Sequence, residues 1–183
     1  MLDLVRKYKT VLTFIATFVG SYLLLAFLYG IYLKFGASVT YYPDFVTHIV
    51  AEQTEWLVSK MGYDTQIVPN QYEPSMNISI NGDVIVRVIE GCNAVSIMLL
   101  FTSFVLAFFR GWSKTLRFVG LGILLLYVMN VARIAILTVL MYEYPEYSDV
   151  LHDVLFPAVI YGTVVLLWMY WIKGYSPKKS TNE

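Results

Sequence analysis

Residues 118–141 read FVGLGILLLYVMNVARIAILTVLM, a run of 24 residues with a single charge, Arg133. As a helix rising 1.5 Å per residue it measures about 36 Å, enough to cross a hydrocarbon core of about 30 Å. Three more apolar stretches accompany it, at residues 11–33, 92–109 and 154–172, and none of them carries a charge. Pro157 falls in the first turn of the last one, where proline is tolerated. The run at 11–33 is too long for the apolar region of a cleaved signal and lacks an Ala-x-Ala end, so it reads as an uncleaved signal anchor.

The composition agrees with this reading. The 183 residues are 58% hydrophobic and only 14% charged, with a mean hydropathy of +0.62. A soluble domain carries about 25% charged residues, so an ordinary soluble globule is excluded. An aromatic content of 16% excludes a disordered chain. Thirteen basic and thirteen acidic residues cancel, and nothing overall points to nucleic acid. One cysteine, Cys92, allows neither an intrachain disulfide nor a four-cysteine zinc site. No pattern in the chain calls for a metal or a cofactor.

Charge in the connectors orients the spans. Arg6, Lys7 and Lys9 precede the first, Arg110, Lys114 and Arg117 follow the second, and Lys173, Lys178 and Lys179 follow the fourth. The connector 142–153 holds Glu143, Glu146, Asp149 and Asp153 with no Lys or Arg, and segment 34–91 has seven acids against three bases. Basic segments belong in the cytoplasm, so both termini are expected inside the cytoplasmic membrane and segment 34–91 outside. The expected fold is mainly α, a polytopic four-helix transmembrane bundle with a small extracytoplasmic α+β segment. Its parts are a cytoplasmic N-terminus and first span (1–33), the outer segment (34–91), a membrane core of three spans (92–172) and a cytoplasmic tail (173–183).

The outer segment has its own pattern. Residues 43–61 read as an amphipathic helix, with Val46, Ile49, Val50, Leu57 and Met61 on one stripe, Trp56 beside it, and His48, Glu52, Glu55 and Ser59 opposite. Residues 76–80 and 84–89 are β-rich and joined across Asn81-Gly82, the strongest short hairpin signal. Two strands alone are marginal in water, so the helix or the membrane surface must cover one face.

Three residues stand out chemically. Cys92, in Glu90-Gly91-Cys92-Asn93, falls where the second strand meets the second span. A helix N-terminus offers partial positive charge and free N–H groups, both of which stabilise a thiolate. Gly91 leaves room for another chain to approach. Arg133 is the only charged residue within the spans, about 12 Å below the outer end of its own. An arginine at such depth is a functional hypothesis by default. Asn130 lies one turn earlier and can fix the guanidinium. His152 sits in the outer connector, with Asp149 and Asp153 able to orient its ring. Each has a plain structural alternative: a small packed cysteine, a snorkelling arginine, a solvated histidine. The topology nevertheless puts all three near the outer leaflet. A thiolate nucleophile, a general acid/base and a cation for a developing oxyanion are the parts of acyl transfer.

Glu90-Gly91-Cys92-Asn93 opening one span, Asn130-Val131-Ala132-Arg133 inside the next and His152-Asp153 opening the last together resemble the exosortase/archaeosortase family of membrane transpeptidases. The small size and the outer hairpin are most similar to its exosortase F type. The resemblance spans residues 88–172. It departs at Ala94, where many members have glycine, and in having fewer spans than many members. It implies a cysteine protease-like sorting enzyme with Cys92, Arg133 and His152 as catalytic residues and Asn130, Gly91, Asn93 and Asp153 in support. The implied substrates are exported proteins with a C-terminal signal of short motif, hydrophobic span and basic cluster. The chain released from that signal would pass to an amine, a lipid-linked acceptor or water. Two rivals compete. A non-enzymatic accessory or assembly subunit would explain the outer segment but not Arg133. A channel with Arg133 on an anion path would need more polar residues in the spans.

Overall fold

The computed structural model describes residues 8–35 and 41–174. Arg6, Lys7, Lys178 and Lys179, and with them most of the cytoplasmic ends expected from the sequence, lie outside the described residues. Helix α1 (Lys9–Phe35) is followed by α2 (Phe45–Lys60), strands β1 (Thr65–Pro69), β2 (Ser75–Ile80) and β3 (Asp83–Ile89), and a 3-10 turn at Glu90–Cys92. Then come α3 (Val95–Ala107), α4 (Trp112–Glu143), a π-helical turn at Leu151–Leu155 and α5 (Phe156–Lys173). Three helical stretches, Lys9–Phe35, Trp112–Glu143 and Pro145–Lys173, are long and apolar enough to cross a bilayer. The chain is a polytopic membrane protein with a small α+β segment.

Helix α3 is the short member. The expected span at 92–109 shrinks to 13 residues, about 20 Å. At its start, the 3-10 turn and a left-handed Ala94 (φ 65°) delay the first helical residue to Val95. The Asn93 side chain caps the helix there, its Oδ1 accepting from the Val95 N–H at 2.9 Å. Helix α4 errs the other way. Its 32 residues measure about 48 Å, well beyond the thickness of a hydrocarbon core.

The outer segment covers the surplus. Val50, Ala51, Met76, Ile78 and Val88 pack against Val131 and Ile134 of α4, while Val58 and Ile80 pack against Ala135, with Val139 and Tyr142 alongside. Helix α2 therefore presents Thr47, Val50, Ala51, Thr54 and Val58 to the core. The expected stripe is rotated: Trp56 and Met61 are exposed. The reason is α4, whose close approach favours the small Ala51 and Thr54 over bulky residues. Asp44 caps α2, accepting from the Val46 and Thr47 N–H groups.

The hairpin forms as its turn chemistry requires, with both Asn81 (φ 52°) and Gly82 (φ 92°) left-handed. A third strand, β1, joins it, giving an antiparallel sheet in the order β1-β2-β3. Its Pro69 and exposed Val68 spoil the alternation that would have marked it in the sequence. The 5-residue β1 completes a sheet large enough to pack stably under α2.

Below the sheet, the bundle core joins α3, α4 and α5 through Phe101, Leu126, Val164 and Trp171. Phe104 stacks on Trp168 at 4.2 Å and meets Phe14 and Phe18 of α1 edge-on. Arg110 lies 4.7 Å over the Trp171 ring, its backbone N–H donates to Thr115 at 3.2 Å, and the Trp171 Nε1 donates to the Phe108 carbonyl. This layer fixes one end of three helices and so provides a ruler. Arg133 lies 18 residues beyond Thr115 and His152 lies 19 before Trp171, about 27 and 28 Å respectively. Both residues thus stand close to one level, at the other end of the bundle from this layer.

Gly122 of α4 faces the fully buried Phe101 ring, which a Cβ would run into. Gly122→Ala is expected to destabilise the bundle by about 1–3 kcal/mol through overpacking. A lowered thermal midpoint in detergent, with the outer segment's signal following it, would check this.

Candidate active site

The Cys92 turn is built from the residues around it. Strand β3 leads through Ile89 into the 3-10 turn Glu90–Cys92. The Cys92 carbonyl accepts a hydrogen bond from Asn130 Nδ2 at 2.8 Å, and Asn130 is buried. One residue on, Asn93 is fully buried, and its Nδ2 donates to the Tyr29 hydroxyl of α1 at 2.9 Å and to Thr47 Oγ1 of α2 at 3.0 Å. Two asparagines thus tie the turn to α1, α2 and α4. A buried polar group left unpaired costs about 1–3 kcal/mol, so this placement is specific. Asn130, expected to fix the Arg133 guanidinium, makes this bond to Cys92 because it faces inward beneath the turn.

Cys92 is half-buried. It lies three residues before the first residue of α3 and the cap position belongs to Asn93 and Ala94, so Cys92 is not itself at the helix N-terminus as the sequence suggests. A Cβ on Gly91 would meet only the Ile89 side chain, at 3.9 Å. Packing does not demand glycine here, and Gly91 lies open on the cavity wall.

That cavity, of about 350 Å³, gathers the three residues singled out in the sequence: Cys92, Arg133 and His152 all line it. Asn130, Tyr22 and Tyr161 share its walls, and Ile97, Leu100, Leu137 and Ile160 add apolar lining. Arg133 is half-buried, with Cys92 and Tyr161 as the titratable groups within electrostatic reach of its guanidinium. A second cavity of about 270 Å³ adjoins on the sheet side. Cys92, His152, Val86 and Arg87 line both, and Glu73, Ile85, Ile89 and Met141 complete the second.

His152 belongs to a π-helical turn, not to a loop. Pro157 has no N–H for the carbonyl four residues earlier and its ring crowds that carbonyl, which opens the helix into a wider turn there. The His152 Nδ1 lies 2.8 Å from Asp153 Oδ1, and both side chains are exposed. Of the two carboxylates that flank it in the sequence, Asp153 is the one at hydrogen-bonding distance from the ring. Arg87 pairs with Glu73 at 2.9 Å on the rim of the second cavity.

Tyr22, Tyr161 and Arg87 were not foreseen. The two tyrosines sit in apolar runs where nothing marks one aromatic among many, and Arg87 reads as an ordinary strand residue. Among the described residues no group of three His, Cys, Asp or Glu side chains is placed to hold a metal ion.

The transmembrane exosortase family model matches residues 10–172. No curated protein and no solved structure matches the chain. The match covers most of the 183 residues, and the chain belongs to the transmembrane exosortase family. Family membership carries the general activity of membrane sorting by transpeptidation.

Asn130→Ala should leave the fold intact but release the Cys92 turn. The expected cost is about 1–2 kcal/mol, equivalent to roughly 5- to 30-fold faster amide exchange at residues 91–94. Hydrogen exchange in detergent would read it.

Proposed function

We propose that the chain is a cysteine transpeptidase that cleaves a C-terminal sorting signal from exported proteins at the outer face of the cytoplasmic membrane. The observation that carries this reading is the meeting of Cys92, Arg133 and His152 on one cavity. They come from three separate elements, and membrane insertion alone gives no reason for them to converge. The bias of Lys and Arg toward the Arg110–Lys114 connector supports a cytoplasmic location for that side. The site then faces outward.

The residues suggest a two-step sequence. The Cys92 thiolate attacks the carbonyl carbon of the scissile peptide bond, and the new oxyanion is stabilised by the Arg133 guanidinium. As the C–N bond breaks, His152 Nε2 gives a proton to the leaving amine, held in the right tautomer by Asp153. A thioester on Cys92 remains. An amine, a lipid-linked acceptor or water then attacks it, His152 takes the acceptor's proton, and Cys92 leaves as the thiolate. The apolar lining at Ile97, Leu100 and Ile160 suits the hydrophobic span that follows the cleaved bond.

C-terminal proteomics of membranes from cells making wild-type or variant protein tests this. Cys92→Ala should abolish new C-termini upstream of hydrophobic spans. His152→Ala should lower their rate of appearance by about 10²–10⁴-fold. Arg133→Gln should lower it by about 10²–10³-fold, the cost of losing one oxyanion donor. Unchanged C-termini in all three variants would refute the assignment.

A further inference from the structure

Strand β3 is the outer strand of the sheet: β2 covers one of its edges, and among the described residues no backbone group pairs with the other. An unpaired edge is a template for another chain, and proteins ordinarily blunt it with Pro, short length or a covering element. The pairing with β2 shifts register opposite Ile78/Ser79 and skips Ile85, but from Val86 to Ile89, the part nearest Cys92, this edge is regular. Its 7 residues contain no Pro, and the second cavity runs beside it, lined by Ile85, Val86, Arg87 and Ile89. Opposite stand Met141 of α4 and His152. The slot ends at Cys92, three residues beyond the strand.

We infer that the substrate segment upstream of the scissile bond binds as an added strand along the free edge of β3, in the slot facing Met141 and His152. This deepens the proposed function and rests on it. Backbone hydrogen bonding suits a catalyst that must accept several proteins, because affinity comes from the main chain and alternate side chains merely fill pockets. The direction follows from the fold. The Asn81-Gly82 turn lies beside Tyr142 at the outer end of α4, with Asn81 Nδ2 donating to its hydroxyl at 2.8 Å. At the other end of the strand, Val88 packs with Val131 and Ile134. Strand β3 therefore descends toward the membrane. An exported protein followed by a hydrophobic span descends in the same sense, so the added strand runs parallel to β3. In a parallel pair alternate residues of the added strand carry the bonds to one edge. The apolar lining of Ile85, Ile89 and Met141 fits aliphatic side chains, with the Arg87–Glu73 pair at the rim.

The test uses detergent-solubilised full-length protein and acetylated Val-Ala-Val-Ala chloromethyl ketones, whose chloride the Cys92 thiolate displaces to leave a thioether. Each rate is divided by that of iodoacetamide on the same sample, which removes the intrinsic reactivity of the thiol. Strand addition predicts that the tetrapeptide reacts at least about tenfold faster than acetyl-Ala chloromethyl ketone, since main-chain bonds supply affinity. N-methylation of successive amides should alternate between a large loss and none. A photo-leucine in place of the first valine, three residues before the ketone-bearing alanine, should cross-link to residues 85–89 or Met141. Normalised rates independent of length, N-methyl effects without alternation, or cross-links to α1 or α5 would overturn the inference. Iodoacetamide reactivity indifferent to Arg133→Ala would instead count against the catalytic reading, leaving the normalised ratios to judge the edge.

Discussion

Asn130 gives its amide proton to the Cys92 carbonyl at 2.8 Å, while Asn93 bonds both Tyr29 and Thr47 from a fully buried position. These bonds fix where the chain can turn between the sheet and helix α3. The turn could not slide by a residue without stranding buried polar groups, each worth about 1–3 kcal/mol. Everything else at the site depends on that register. It sets the length of α3, the level of Cys92 and the way β3 points at the nucleophile. The outer helix α2 is held through the same joint, because Thr47 is both its buried first turn and a partner of Asn93.

A second constraint is length. Helix α4 exceeds a hydrocarbon core and α3 falls short of one, and the outer segment reconciles them. It sheathes the end of α4 with Val50, Ala51, Val58 and the sheet, and it hands the chain back to α3 below the level of α4's end. This brings Cys92 to the level of Arg133. The cavity consequently sets Cys92, Arg133 and His152 among apolar side chains of the helices, such as Ile97, Leu100 and Ile160.

Much of this was legible in the sequence. Apolar run lengths marked the spans, Asn81-Gly82 marked the hairpin, and the order Cys92, Arg133, His152 marked the residues that now share a cavity. The missing parts are those that tertiary contacts decide. Strand β1 carries Pro69 and lacks alternation, so only pairing with β2 makes it a strand. The buried face of α2 is Thr and Ala rich because α4 presses on it, and a hydropathy stripe cannot anticipate that. The sequence puts the start of α3 too early because Cys92, Asn93 and Ala94 look apolar or neutral, while the left-handed Ala94 and the Asn93 side-chain cap have no hydropathy mark. His152 looked like a connector residue because helical continuity through a π turn before Pro157 has no simple sequence mark.

The central claim is that Arg133 and Cys92 act on one reacting centre. It is tested most directly by the rate at which iodoacetamide alkylates Cys92 at neutral pH in the intact, solubilised protein. The thiolate is the reactive form, and Arg133 lines the same cavity as Cys92. The account predicts that Arg133→Ala slows alkylation several-fold, while Arg133→Lys retains most of the rate. Alkylation equally fast in wild type and Arg133→Ala would contradict it, because the two side chains would then share a cavity without sharing chemistry.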